Sequence, residues 1–224
     1  MRNIKLIIYG FLALVVTLVV MGALLFGAAG TWAYPRAWEW LALFAVLCMA
    51  VSIYFAYASP ELFARRTQVT EPERTQAILM GGIRVLFMAG FVLAGLDHRF
   101  GWSHVPLWAS WAADGVMVVT FVLISHVMLE NAYAATVVRV EEGQHIIDTG
   151  LYASVRHPMY TAAVWMLLSF PVSLGSWWAL LPFVVIDAGI VARLLNEETV
   201  LLRDLPGYAE YCRRVRWRLV PGVW

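Results

Sequence analysis

Four runs of twenty or more mostly apolar residues, about Ile4 to Ala28, Ala37 to Ala58, Ala77 to Leu96 and Leu107 to Leu129, constrain this chain more than any other feature. A helix needs about 20 such residues to cross the hydrocarbon of a bilayer, whereas a barrel strand needs about 9 to 11. In lipid every backbone N–H and C=O must be satisfied internally, so runs of this length are read as membrane-spanning helices. Of the 224 residues, 62% are hydrophobic and 14% charged, against about 45 to 50% and about 25% in soluble domains. Eleven Trp and nine Tyr suit the two interfaces, where amphipathic rings concentrate. A net charge of +1 gives no reason to expect a nucleic-acid partner. The first run is too long for a signal-peptide core and is read as a retained helix.

After a polar stretch from Asn131 to Arg156 come two further apolar runs, about Met159 to Leu174 and Ser176 to Leu195, joined by the tight Leu174-Gly175-Ser176 link. They read as a membrane hairpin with a short first arm. A basic, amphipathic tail from Asn196 to Trp224 is expected to stay at the surface. The fold expected is therefore all-α and polytopic, with about six membrane segments: residues 1–130 form four transmembrane helices that act as scaffold and line a lipid-facing cavity, and residues 131–224 carry the chemistry. With six segments one face holds Arg2, Lys5, Arg65, Arg66, Arg74, Arg139, Arg156, Arg193, Arg203, Arg213, Arg214, Arg216 and Arg218, and the other only Arg36 and Arg99. Basic loops stay on the cytoplasmic side, which puts both termini there, at the inner membrane if the cell is bacterial. Cys48 and Cys212 have no metal or disulfide spacing.

Polar residues gather at one membrane face, in Gln144 to Tyr152, in Arg156-His157-Pro158-Met159-Tyr160 and in Arg193 to Glu198. Pro158 suits the first turn of a helix, where its missing N–H costs nothing. Arg156 and His157 then stand at the mouth of the fifth helix, whose free N–H groups favour an anionic ligand group. Glu197 and Glu198 follow the sixth run, and a hairpin returns the end of its second arm beside the start of its first. The Arg-His and Glu-Glu pairs are thus expected to meet. Acidic residues at a helix C-terminus oppose the dipole, which favours a functional reading of both.

The pattern Gly150-x-Tyr152-x-x-x-Arg156-His157-Pro158-x-Tyr160, followed about forty residues later by Arg193-x-x-x-Glu197-Glu198, resembles the isoprenylcysteine carboxyl methyltransferase family and the related phospholipid N-methyltransferases. The likeness continues through Gly207-Tyr208-x-x-Tyr211. It implies methyl transfer from S-adenosylmethionine, with S-adenosylhomocysteine as product, to a lipophilic acceptor at the cytoplasmic face. By resemblance Gln144, Tyr152, His157, Pro158, Tyr160, Glu197 and Glu198 line the cofactor pocket, the carboxylates facing its ammonium or ribose hydroxyls and His157 its carboxylate. Arg156 would lie nearest the acceptor, with Glu198 the second catalytic candidate. Two departures leave the acceptor open: the family tends to carry His where this chain has Gln144, and its Tyr-x-Gly is here Tyr160-Thr161-Ala162. No Gly-rich dinucleotide fingerprint occurs.

Rival readings are a membrane sterol or steroid reductase using a nicotinamide cofactor, and a non-catalytic scaffold or small transporter. A cofactor with several phosphates would want more cationic side chains than Glu197 and Glu198 leave, and a transporter would place its polar groups at midplane. His98 and His104, on the other face, read as structural, and no metal is expected. His126, Glu130, Asn131 and Tyr133 also read as structural, with contact to the acceptor as the alternative. Arg84, inside the third run, needs a partner or a wet cavity, since a mid-bilayer charge costs at least about 2.5 kcal/mol. Counting depth at about 1.5 Å per residue favours Asp187 over Asp114 as that partner.

Overall fold

The computed structural model describes residues 2–59, 74–131 and 146–224, and among them it holds seven α-helices, one 3-10 turn and no strand. In chain order the helices are α1 (Arg2–Ala29), α2 (Pro35–Ala58), α3 (Arg74–Phe100), α4 (Leu107–Glu130), α5 (Pro158–Ser173), α6 (Leu180–Asp204) and α7 (Tyr208–Arg214), with the 3-10 turn at Gly150–Ala153. Four contain stretches long and apolar enough to cross a membrane: Ile7–Ala29, Pro35–Ala58, Gly81–Phe100 and Leu107–Glu130. Proline opens α2 and α5 at their first turns, where its fixed φ suits the helix and no hydrogen bond is lost. Inside α5, Pro171 cannot donate to the ladder, and the helix ends two residues later at Ser173.

Helix α4 packs most extensively on α5, α1 on α3 and α2, and α6 on both α3 and α5. Lipid is as apolar as a leucine side chain, so helices here associate through close packing. At the centre Trp40 of α2, Phe91 of α3, Phe170 of α5 and Phe183 of α6 are fully buried. Trp40 meets Phe91 and Phe170 edge-on, each at 5.1 Å between ring centroids, the favoured geometry of aromatic quadrupoles. Between α1 and α3 the backbones themselves touch. A Cβ added at Gly95 would lie 2.5 Å from the Leu25 carbonyl oxygen and 2.8 Å from the Ala28 Cβ, so only glycine permits this approach.

The end of the bundle away from the motif residues is held by polar side chains. Arg36 donates from Nε to the Ser173 carbonyl (2.8 Å) and from Nη2 to Asp114 (2.7 Å), and also pairs with Glu39. The Ser173 hydroxyl donates to the other Asp114 oxygen. Asp97, fully buried, accepts from the Ser103 amide and hydroxyl and from the Ser176 hydroxyl. These bonds tie the start of α2 and the end of α3 to the α5–α6 connection.

Two expectations are corrected. The helix that begins the second hairpin arm does not stop near Leu195: α6 continues to Asp204, and Leu194, Glu198 and Leu205 still face inward. Glu197 and Glu198 therefore sit within a helix, more than a turn from its end, and the dipole argument for them falls away. Nor do Arg84 and Asp187 pair. Among the described residues neither buried Asp187 carboxylate oxygen has a hydrogen-bond partner, Arg84 is exposed, and Asp114 pairs with Arg36.

Candidate functional site

At the opposite end of the bundle the start of α5, the last turns of α6, helix α7 and the C-terminal segment 215–224 converge. His157 is the N-cap residue of α5 and Pro158 its first residue. Glu197 and Glu198 are neighbours on α6, about 100° apart around its axis, so they face different partners. Glu198, 5% exposed, accepts from Arg156 Nε (2.7 Å) and faces His157 Nε2 (3.3 Å) through Oε1, and accepts from Arg218 Nε (2.8 Å) through Oε2. Glu197 accepts from the Tyr160 hydroxyl (2.6 Å). Arg193, one turn before Glu197 on α6, donates to the same hydroxyl at 3.1 Å. His157 and Tyr160 share a face of α5 at i, i+3, their rings 5.7 Å apart. Two halves of the motif some forty residues apart thus form two adjoining ionic clusters.

Burial alone would raise the Glu198 pKa, but hydrogen bonds from His157, Arg156 and Arg218 outweigh it and hold the carboxyl at about 2. Charge-assisted bonds favour the ionised form. Arg156, also buried, is largely committed: its Nη1 donates to the carbonyls of Val215 and Arg216, both at 3.0 Å. The C-terminal segment is further pinned by Arg156 N–H to Trp217 O (2.9 Å), His157 N–H to Arg218 O (3.0 Å) and the Thr161 hydroxyl to Leu219 O (2.8 Å). Part of the N-terminal donor set of α5, expected to be open to an anion, is thereby occupied by the chain itself.

Tyr152 lies on the far side of this assembly. Its hydroxyl accepts from Asn131 Nδ2 (3.0 Å) and its carbonyl from the Tyr211 hydroxyl (2.8 Å). Gly150 has φ +51°, and a Cβ there would fall 1.5 Å from Glu130 Oε1. Backbone conformation favours glycine, and Glu130 at the end of α4 joins the motif by filling the space a Cβ would take. Tyr208 is buried beside Glu198, Arg156 and the weakly accepting Cys212 thiol, and among the described residues its hydroxyl makes no hydrogen bond. Burial, then the Glu198 charge, raise its pKa. Gln144 lies outside the described residues.

A cavity of about 450 Å³ opens between α4 and α5, lined by Gly115, Val116, Val119, Thr120, Leu123, Thr161, Ala162 and Trp165 among others. Its size falls in the range of about 300 to 1,000 Å³ typical of small-ligand sites. Both threonine hydroxyls are turned to backbone, Thr120 to Met117 O and Thr161 to His157 O and Leu219 O, so methyl groups face the cavity. Thr161 is one turn from His157 and joins the cavity to the ionic cluster.

Arg218, in sequence only one of several basic tail residues, joins the site, as do Tyr208 and Tyr211. Only a folded-back C-terminus brings them in, and nothing in a basic tail signals that return. Among known proteins, residues 108–205 match the family model described as phospholipid methyltransferase. No curated protein matches the chain significantly. The match runs from the start of α4 to the end of α6 and takes in Gly150, Tyr152, Arg156, His157, Pro158, Tyr160, Glu197 and Glu198, but stops before α7 and the C-terminal segment. The stretch from Trp108 to Leu205 is thus similar to the phospholipid methyltransferase family, and that likeness covers the motif residues but less than half of the chain.

Proposed function

We propose that the protein transfers a methyl group from S-adenosylmethionine to a lipophilic acceptor taken from the bilayer, at the cytoplasmic membrane face. The observation that carries this reading is the meeting of Arg156, His157 and Tyr160 with Glu197 and Glu198 at one end of a membrane bundle. The donor set suits a zwitterionic ligand that bears an ammonium, a carboxylate, hydroxyls and an aromatic base. Glu197 offers a carboxylate that accepts from the Tyr160 hydroxyl, which Arg193 also meets, His157 a ring nitrogen, and Tyr208 a buried hydroxyl with no hydrogen bond among the described residues. These residues, with Tyr152, would hold the cofactor, and Gln144 joins them by resemblance. When bound, S-adenosylmethionine supplies an electrophilic methyl on a sulfonium.

The chain's own part is placement. Arg156 spends its Nε and Nη1 donors on Glu198 and the C-terminal segment, so it acts by holding the pocket wall and orienting Glu198. Alignment of two reactants is worth about 7 to 11 kcal/mol when well made, and a rigid ionic frame maintains it. The apolar cavity between α4 and α5 suits the hydrocarbon part of the acceptor, entering sideways from lipid and ending beside His157 at Thr161. Basic residues gathered at the site face support the cytoplasmic assignment.

Isothermal titration of purified protein in a neutral detergent tests the reading. S-adenosylhomocysteine is expected to bind at micromolar to millimolar concentration, with NADPH giving no binding heat. Binding of NADPH, with none of S-adenosylhomocysteine at millimolar ligand, would overturn it.

A further inference from the structure

We infer that Arg218 seats the phosphate of a phospholipid acceptor, which makes it a specificity-determining residue contributed by the C-terminal segment. The inference rests on the methyltransferase reading for the identity of the reaction, but the seat itself is built from contacts beyond the family match.

Its first support is charge. Glu198 alone faces two guanidinium groups, Arg156 at 2.7 Å and Arg218 at 2.8 Å. The adjoining cluster sets Arg193 beside Glu197 through Tyr160, and Asp148 is taken by Arg214. Arg156 and Arg218 thus share one carboxylate, and an anionic ligand group would complete the pairing of the more accessible of the two.

Its second support is access. The Arg156 side chain is 7% exposed and that of Arg218 33%. Arg218 spends Nε on Glu198 and rests its guanidinium carbon 5.2 Å from the centre of the Trp224 ring. Its Nη donors make no hydrogen bond among the described residues. They form the planar fork that matches phosphate oxygens in pairs, on a backbone fixed by the bonds from Arg156, His157 and Thr161.

Its third support is what lies beside it. Thr161 lines the apolar cavity and also donates to the carbonyl of Leu219, the residue after Arg218. Thr161 therefore links the apolar cavity to the segment that carries Arg218. A ligand with a hydrocarbon chain and an anion at its head fits both at once. Trp217 and Trp224 bracket Arg218 in sequence, as expected for a segment at headgroup level.

The test uses the full chain in a neutral maltoside detergent, as wild type, Arg218→Gln and Arg218→Lys, titrated with dihexanoylphosphatidylcholine, dihexanoylglycerol, inorganic phosphate and S-adenosylhomocysteine. The lysine variant keeps a cation opposite Glu198 but loses the fork, so it reports on the seat even where the glutamine variant fails to fold. Phospholipid affinity is expected to fall roughly 10- to 150-fold in Arg218→Gln, the cost of a lost charge-assisted bond, and measurably in Arg218→Lys. Dihexanoylglycerol affinity is expected to hold, and S-adenosylhomocysteine affinity is expected to fall less than phospholipid affinity. Unchanged phospholipid affinity with weakened S-adenosylhomocysteine binding would assign Arg218 to the cofactor carboxylate and overturn the inference. Inorganic phosphate binding as tightly as the phospholipid would also overturn it, in favour of a free anion. Wild type that binds no S-adenosylhomocysteine yet loses phospholipid affinity in both variants would keep the seat and remove the methyltransferase reading.

Discussion

Glu198 is a buried carboxylate facing two guanidinium groups and an imidazole, and this environment fixes how its contribution to stability varies with pH. Its folded pKa of about 2 lies below the ordinary 4.5, so between those values the unfolded chain binds more protons than the folded one. Stability from this group is complete above about pH 4.5 and is lost as pH falls toward 2. Thermal unfolding in detergent across that interval should show the decline in wild type and a flatter profile in Glu198→Gln; parallel profiles would refute the assignment. Glu198→Ala strands the Arg156 guanidinium in a buried site and is expected to cost about 3 to 5 kcal/mol. At this scale the residue types and their spacing were legible in the sequence. The division of labour was not: the Arg-His and Glu-Glu pairs were expected to meet, but with Arg156 at the acceptor and both carboxylates at the cofactor, whereas the fold binds Arg156 to Glu198 and turns the adjacent Glu197 to Tyr160. Gly150 was visible as a motif letter, but neither its left-handed φ nor the Glu130 carboxylate packed against it, from a helix twenty residues away, carries a sequence signal.

Helices α1 and α3 meet at Gly95, where a methyl group would collide with the Leu25 carbonyl and Ala28. Gly95→Ala is expected to lower stability by about 1 to 3 kcal/mol through overpacking, measured as a drop in unfolding midpoint with cofactor-analogue binding preserved in the fraction that folds; an unchanged midpoint would show that the helices can separate freely. The start of α5 was legible from Pro158, whereas that of α2, expected at about Ala37, lies at Pro35. The end of α6 was not, because a fall in hydropathy at Asn196 to Glu198 marks where a helix leaves lipid and not where its backbone stops, and Glu198, Leu201 and Leu205 still pack inward or against α7. The Arg84 and Asp187 expectation failed for a related reason. Depth along a helix can be counted from sequence, but the direction a side chain takes around the axis follows from packing. That packing points Asp114 at Arg36.

As a whole, the molecule separates its tasks between two ends. One end is locked by Arg36, Asp114, Ser173, Asp97 and Ser176, and the other holds the ionic clusters and the adjoining apolar cavity. The four spans were legible because lipid imposes length and apolarity together, and the expected ranges differ from the helices by only a few residues at either end. The return of the C-terminal segment was not, since its bonds are mainly backbone carbonyls that carry no side-chain signature. The central claim is methyl transfer to a membrane acceptor, and its most direct measurement is mass spectrometry of lipid extracts incubated with the purified protein and S-adenosylmethionine labelled in the methyl group. A labelled, organic-soluble species is expected with wild type and not with Glu197→Gln or Glu198→Gln. Label confined to the donor and its water-soluble products, with protein that binds S-adenosylhomocysteine, would contradict the account.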